Sequence, residues 1–233
     1  MKRSVFIVAI CILSSQSFAQ DFLQDLTLIR QKYFQPEGEI KFNLRMQFYD
    51  VKNLEQVEDS SFGTFRLSKN LTYADFENTI SITNDSFLFL LDKTGRRIFI
   101  SKNIGGLNTY AYSPLIIDSL ARKLNLKISA LNSSSKGLRK FRIHVPEGEV
   151  DSADIEYSPT NYLMKSITVY YRRSIDPDEE VKPVAKIIYE NQVLSSNKNL
   201  THYDIGKYVV INNKAVTLKE PYSSYRLINN LIF

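Results

Sequence analysis

NDSFLFLLDKTGRRIFI, from Asn84 to Ile100, decides how this chain folds. Its second arm, Arg97 to Ser101, alternates, with Ile98 and Ile100 turned inward. The first arm does not alternate. Phe87 to Leu91 is apolar without a break, so a strand there presents apolar side chains on both faces. A solvated sheet shows one apolar face, so this run predicts cover on both sides. The turn between the arms, DKTG, fits a hairpin loop of three to five residues, with Gly95 expected to supply a positive φ.

Outward from the hairpin, the period of two persists. Upstream, Ile40, Phe42, Leu44, Met46 and Phe48 face one way, and Lys41, Asn43, Arg45 and Gln47 the other. This long strand suits a strongly curved sheet. Gly63, Phe65 and Leu67 alternate against Thr64 and Arg66, with Gly63 marking a bend. Strands at Leu71 to Phe76 and Thr79 to Thr83 complete an antiparallel meander of about five or six strands. Downstream, strands return at Phe141 to Val145, Asp154 to Tyr157, Ile167 to Arg172 and Ala185 to Tyr189, with tail strands near Lys207 to Ile211 and Ala215 to Lys219.

Two helices are expected. Asp21 to Phe34 carries Leu23, Leu26, Ile29 and Tyr33 at helical spacing and ends before Pro36 and Gly38. A second starts at Ser113 and Pro114, an N-cap and first-turn pair, and runs through Leu124 after a hinge at Gly105 and Gly106.

The amino terminus, MKRSVFIVAICILSSQSFAQ, has a basic start, a short apolar core and small residues before Asp21. This is the pattern of a secretory signal peptide over residues 1–20, cleaved near Ala19 or Gln20. Cys11 is the single cysteine of the chain and lies inside the apolar core, so no lipobox is present. The mature chain would hold no disulfide, thiolate metal site or cysteine nucleophile. Export without disulfides fits a periplasmic location. Subtracting Lys2 and Arg3 from the net charge of +5 leaves +3, spread evenly, which gives no case for nucleic acid.

The layout resembles the LolA/LolB lipoprotein-carrier superfamily: a leader, an amphipathic helix, a long-stranded meander, a helical insertion and more long strands. The segment SFGTFRLSKNLTYADFENTISITNDSFLFLLDKTGRRIFI, Ser61 to Ile100, is most similar to it. The resemblance covers about residues 21 to 210 and implies an α+β fold: a curved antiparallel sheet, an unclosed half-barrel, with lid helices. It also implies a single domain over 21–233 with a carboxyl-terminal extension, and an acyl chain held between sheet and lid.

Expected function follows from both lines. The first reading is a soluble, non-catalytic periplasmic carrier of a lipid or lipoprotein acyl chain. Its cavity would be lined by Phe42, Leu44, Met46, Phe48, Phe65, Leu88 and Leu90. The alternative is a non-catalytic envelope assembly or adaptor protein with a filled core, docking a protein partner through the tail YSSYRLINNLIF or a surface with Tyr170, Tyr171, Tyr222 and Tyr225.

Chemistry is sparse. His144 lies on a polar strand face, and His202 with Asp204 sits in a polar loop, where an exposed histidine is the ordinary reading. Asp176, Asp178, Glu179 and Glu180 read as a solvated turn rather than a calcium loop. Lys136, Arg139 and Lys140 form a small basic patch that could touch anionic headgroups. No nucleophile elbow, phosphate-binding glycine loop or zinc-protease motif appears. No catalytic residue, metal or cofactor is therefore expected.

Overall fold

The computed structural model describes residues 22, 24–33, 38–103, 126–133, 135–172, 183–197, 199–212 and 215–231. The expected leader, the second helix, the Gly105–Gly106 hinge and the acidic turn at Asp176 to Glu180 lie outside the described residues.

The described chain is mostly β, with one short helix, α1 (22–33). The strands are β1 (Glu39–Asp50), β2 (Asp59–Ser68), β3 (Leu71–Phe76), β4 (Thr79–Thr83), β5 (Phe87–Asp92), β6 (Arg97–Lys102) and β7 (Lys127–Leu131). Then come β8 (Arg139–His144), β9 (Val150–Tyr157), β10 (Met164–Tyr171), β11 (Pro183–Ser195), β12 (Val209–Asn212), β13 (Ala215–Leu218) and β14 (Arg226–Asn230). Twelve strands hydrogen-bond in the order β14-β6-β5-β4-β3-β2-β1-β11-β10-β9-β8-β7, and β12-β13 form a separate ribbon. The large sheet is unclosed, with edges at β14 and β7. It is mixed rather than purely antiparallel, because β14 runs parallel to β6. Among the described residues no helix is long and apolar enough to cross a membrane.

Two compact units divide the chain: Met1–Lys32, Arg45–Ser60 and Pro114–Tyr189 form the first, and Tyr33–Leu44, Ser61–Ser113 and Glu190–Phe233 the second.

In the first unit, α1 buries Phe22, Leu26 and Ile29. Phe22 stacks on Phe141 of β8 with ring centroids 4.4 Å apart, and Phe141 lies parallel to Tyr157 of β9 at 6.2 Å. Asp25 is also buried on this helix. Its Oδ2 accepts from Tyr157 Oη and Arg139 Nη1, each at 2.6 Å. Register puts Phe141, Ile155, Ile167 and Ile187 in one row, with Arg142 and Asp154 opposed on the other face. Arg142 grips Asp154 with two nitrogens at 2.6 and 2.9 Å, and Lys140 Nζ stands 3.1 Å from the same carboxylate. Burial alone would raise the Asp154 pKa, but these cations outweigh it and hold the carboxyl below its ordinary range.

In the second unit, β2 to β6 form the expected antiparallel meander. Register resolves its two faces. One face carries the rows Tyr73, Ile82, Phe89, Ile100 and Asp75, Ile80, Leu91, Ile98. Ile82, Phe89, Leu91, Ile98 and Ile100 are fully buried there under Tyr203, Ile205, Tyr208, Val209 and Leu231 of the carboxyl-terminal segment. At about 1.5–3 kcal/mol for each large apolar side chain removed from water, this cluster dominates the unit's core. The opposite face carries Phe65, Ala74, Ser81, Leu90, Phe99 and Ile228 in one row.

Ile98 and Ile100 turn inward as expected and are fully buried. They lie on the face opposite Leu88 and Leu90, because each pairs with Leu91 or Phe89 and strands alternate. One local expectation is corrected. In the hairpin turn, Arg96 takes the left-handed backbone with φ 49°, not Gly95. Gly95 is needed for space: its N–H reaches Asp92 Oδ1 at 2.7 Å, and an added Cβ would fall 2.2 Å from Asp92 Oδ2. Gly63 pairs in register with Phe76, where a Cβ would meet the Phe76 ring at 2.5 Å.

Candidate functional site

The sheet face of the second unit that carries Phe65 is the first candidate. Phe42 of β1 and Phe65 of β2 stack with centroids 5.5 Å apart and planes 6° apart. The Tyr33 ring stands edge-on to Phe42 at 5.7 Å, and its hydroxyl donates to Gln192 Oε1. Phe76 leans toward Phe65 at 6.2 Å. Phe42, Leu44 and Phe65 are thus core residues, with Ala74 buried in the same row as Phe65.

The row opens beyond them. Leu88 is half-buried and Leu90 reaches 36% exposure, while their neighbours Phe89 and Leu91 are at 0%. Phe99 and Ile228, next in the Leu90 row, are half-buried. Register therefore brings Leu90 into one row with Phe65 and puts Leu88 beside that row on the same face. Met46 and Phe48 are half-buried further along β1, facing the same way by alternation. The two-sided apolar run thus has two different surroundings. Phe89 and Leu91 are sealed by the chain's own tail, and Leu88 and Leu90 remain partly open.

The polar face of β1 and β2 holds a second feature that alternation did not single out. Arg66 Nη1 stands 2.8 Å from Glu39 Oε1, and the Tyr203 hydroxyl donates to Glu39 Oε2 at 2.9 Å. Glu39 is buried at 5% exposure, and both of its oxygens are used. Burial, then the Glu39 carboxylate, pushes the Tyr203 pKa well up, so it stays a donor at every physiological pH. Beside the pair lies a cavity of about 460 Å³ lined by Glu39, Lys41, Arg66, Val193, Ser195, Asn197 and Asn199. Gly38 lets β1 begin against the end of β11: a Cβ there would lie 1.8 Å from the Ser195 carbonyl oxygen. The Ser68 hydroxyl donates to the Gly38 carbonyl at 2.7 Å, fixing the corner. The signal in the sequence was Glu39, a carboxylate opening a strand between Gly38 and Ile40, with Arg66 on the facing strand.

The basic patch is largely spent. Arg139 pairs with Asp25 and Lys140 with Asp154, though both still line a second cavity of about 280 Å³. Neither cavity is lined by the expected acyl-binding residues. His202 sits against the Tyr73 ring at 5.5 Å, and Asp204 Oδ1 accepts from the Gly206 N–H at 2.8 Å, an ordinary turn contact. Among the described residues no three of His, Cys, Asp and Glu gather closely enough to hold a metal.

No protein-family model matches the chain, and no curated protein matches it. Solved structures of similar course include an uncharacterized conserved protein from Thermus thermophilus, 6% identical over 89% of this chain and 98% of that one, with a TM-score of 0.49. A putative outer membrane lipoprotein-sorting protein domain from Vibrio parahaemolyticus is 8% identical over 79% of this chain and 97% of its own, at TM-score 0.36. A LolA superfamily protein from Nitrosomonas europaea is 9% identical over 74% and 92%, at 0.33. Structural neighbours of this chain thus include LolA superfamily and lipoprotein-sorting domains at low sequence identity.

Proposed function

We propose that this chain is an exported, non-catalytic carrier of the periplasm that takes a lipid or lipoprotein acyl chain against the Phe65 face of its second unit. One observation supports it most: β5 is sealed on its Phe89–Leu91 face and left partly open on its Leu88–Leu90 face. An acyl chain laid on that open row gains about 0.8 kcal/mol for each methylene removed from water. Phe42, Leu44 and Phe65 would form the rigid end of the row, and Leu88, Leu90, Phe99 and Ile228 its accessible part. The reading calls for a curved, half-barrel sheet whose cover parts to admit the chain.

The alternative, an envelope adaptor with a filled core, draws support from the near-complete burial of Phe42, Leu44 and Phe65. Its proposed docking tail is largely engaged: Tyr222, Tyr225 and Leu227 pack on the buried cluster, and β14 is a strand of the sheet.

Native mass spectrometry of the chain purified from its envelope without detergent separates the two. The carrier reading expects a bound species of lipid mass that organic extraction releases. Leu90→Glu should fold, since Leu90 is already exposed, and should lose that species. An apo mass that takes up no lipid on titration would leave the adaptor.

A further inference from the structure

The cavity beside the Glu39–Arg66 pair lies on the sheet face opposite the proposed acyl row, and its lining is rich in hydrogen-bond donors. Arg66 carries five N–H groups. One nitrogen is used on Glu39, and the side chain, 17% exposed, lines the cavity with no other hydrogen-bond partner among the described residues. Lys41, on the same face two residues from Glu39, brings three more donors and has no ion-pair partner among the described residues. Asn197 and Asn199 add side-chain amides; Asn199 uses its oxygen on Thr201, which leaves its NH₂ to donate. The only carboxylate in the lining, Glu39, already pairs with Arg66 and accepts from Tyr203.

The local field has the same sign. The His202 imidazole has its pKa lowered by burial and then by Arg66, Lys207 and Lys41, against which Glu39 works alone. A cavity with a guanidinium fork, an ammonium and two amides, and no carboxylate without a cation partner, suits a tetrahedral oxyanion. Val193, 57% exposed at the wall, suits an apolar continuation of the same ligand.

We propose that this cavity is an anion site for a phosphate group, held by Arg66 and Lys41 with Asn197 and Asn199. The phosphate belongs either to a lipid headgroup or to a small soluble phosphate compound; the chemistry of recognition is shared. This site does not depend on the acyl row, and either can fail without the other.

The test is a titration of the full chain with inorganic phosphate at fixed ionic strength, followed by the imidazole resonances of its two histidines. Saturable binding is expected, with the His202 pKa rising as the anion offsets the cations. Lys41→Gln, at an exposed position that leaves the Glu39–Arg66–Tyr203 contacts intact, should weaken binding about tenfold. Arg66→Gln should weaken it further, but it strips a partner from buried Glu39, so Lys41→Gln decides. Capture of the chain by phosphatidylglycerol vesicles, lost in Lys41→Gln, would assign the phosphate to a headgroup. Phosphate binding without vesicle capture would assign it to a soluble compound. No saturation, or equal affinity in Lys41→Gln, overturns the site.

Discussion

Asp154 is the most heavily partnered carboxylate of the first unit. It is 2% exposed, faces Arg142 and Lys140, and accepts from Tyr170 Oη at 3.3 Å. Asp154→Ala leaves two partly exposed cations facing a buried gap, and should cost about 1–3 kcal/mol in chemical denaturation. Its pKa is lowered on folding, so its contribution is fully present above the ordinary value of 3.8 and fades as pH falls through the folded value. The wild type should therefore lose stability below about pH 4 more steeply than Asp154→Ala; parallel acid curves would contradict this. In the second unit, Tyr203→Phe removes the donor to Glu39 Oε2 and should cost about 1–2 kcal/mol by thermal unfolding. Such pairs were hidden in the sequence. Alternation puts Arg66 and Glu39 on the polar side of their strands, which reads as solvent until something is known to cover it.

At the scale of elements, the carboxyl-terminal segment acts as the second unit's inner layer. Tyr208 stacks near Phe89 at 4.8 Å and Tyr222 near Tyr208 at 5.4 Å, and burial pushes the Tyr208 hydroxyl up to about 12. Truncation before Asn199 would bare Ile82, Phe89, Leu91, Ile98 and Ile100 together. The truncated chain should bind a hydrophobic dye and lose cooperative unfolding; a truncation that unfolds like the full chain would refute the layer. Gly38→Ala tests the corner of β1. With backbone at 1.8 Å from the added Cβ, the strand must shift, and a loss of several °C in Tm is expected from roughly 1–3 kcal/mol of strain. The strands themselves were legible: the alternations at Phe141, Ile155, Ile167 and Ala185 fall within β8, β9, β10 and β11. β7 was not, because KISAL is short and its apolar residues do not sustain a period. The layer was legible only in outline. By sequence Tyr222 and Tyr225 read as a partner surface; in the fold they pack on the chain's own buried cluster.

For the whole molecule, the question is which of its apolar surfaces are finished by its own residues. Register answers it for the meander: a sealed face of Ile82, Phe89 and Ile100, and a partly open face of Leu88, Leu90 and Phe99. The sequence already held the discrepancy, in a first arm apolar on both sides. What it could not supply was which side the tail would take, since Leu, Ile and Phe look alike as core and as ligand wall. The parallel pairing of β14 with β6 was likewise beyond its reach. β14 begins at Arg226, far along the chain from the end of β6 at Lys102, and only tertiary packing brings the two together. The measurement that bears most directly on the carrier reading is methyl NMR of the full chain titrated with a phospholipid spin-labelled on its acyl chain. Broadening of Leu88, Leu90 and Ile228 is expected, with Leu91, Ile98 and Ile100 unchanged. Broadening of neither face, or of the Ile98–Ile100 face instead, would contradict it.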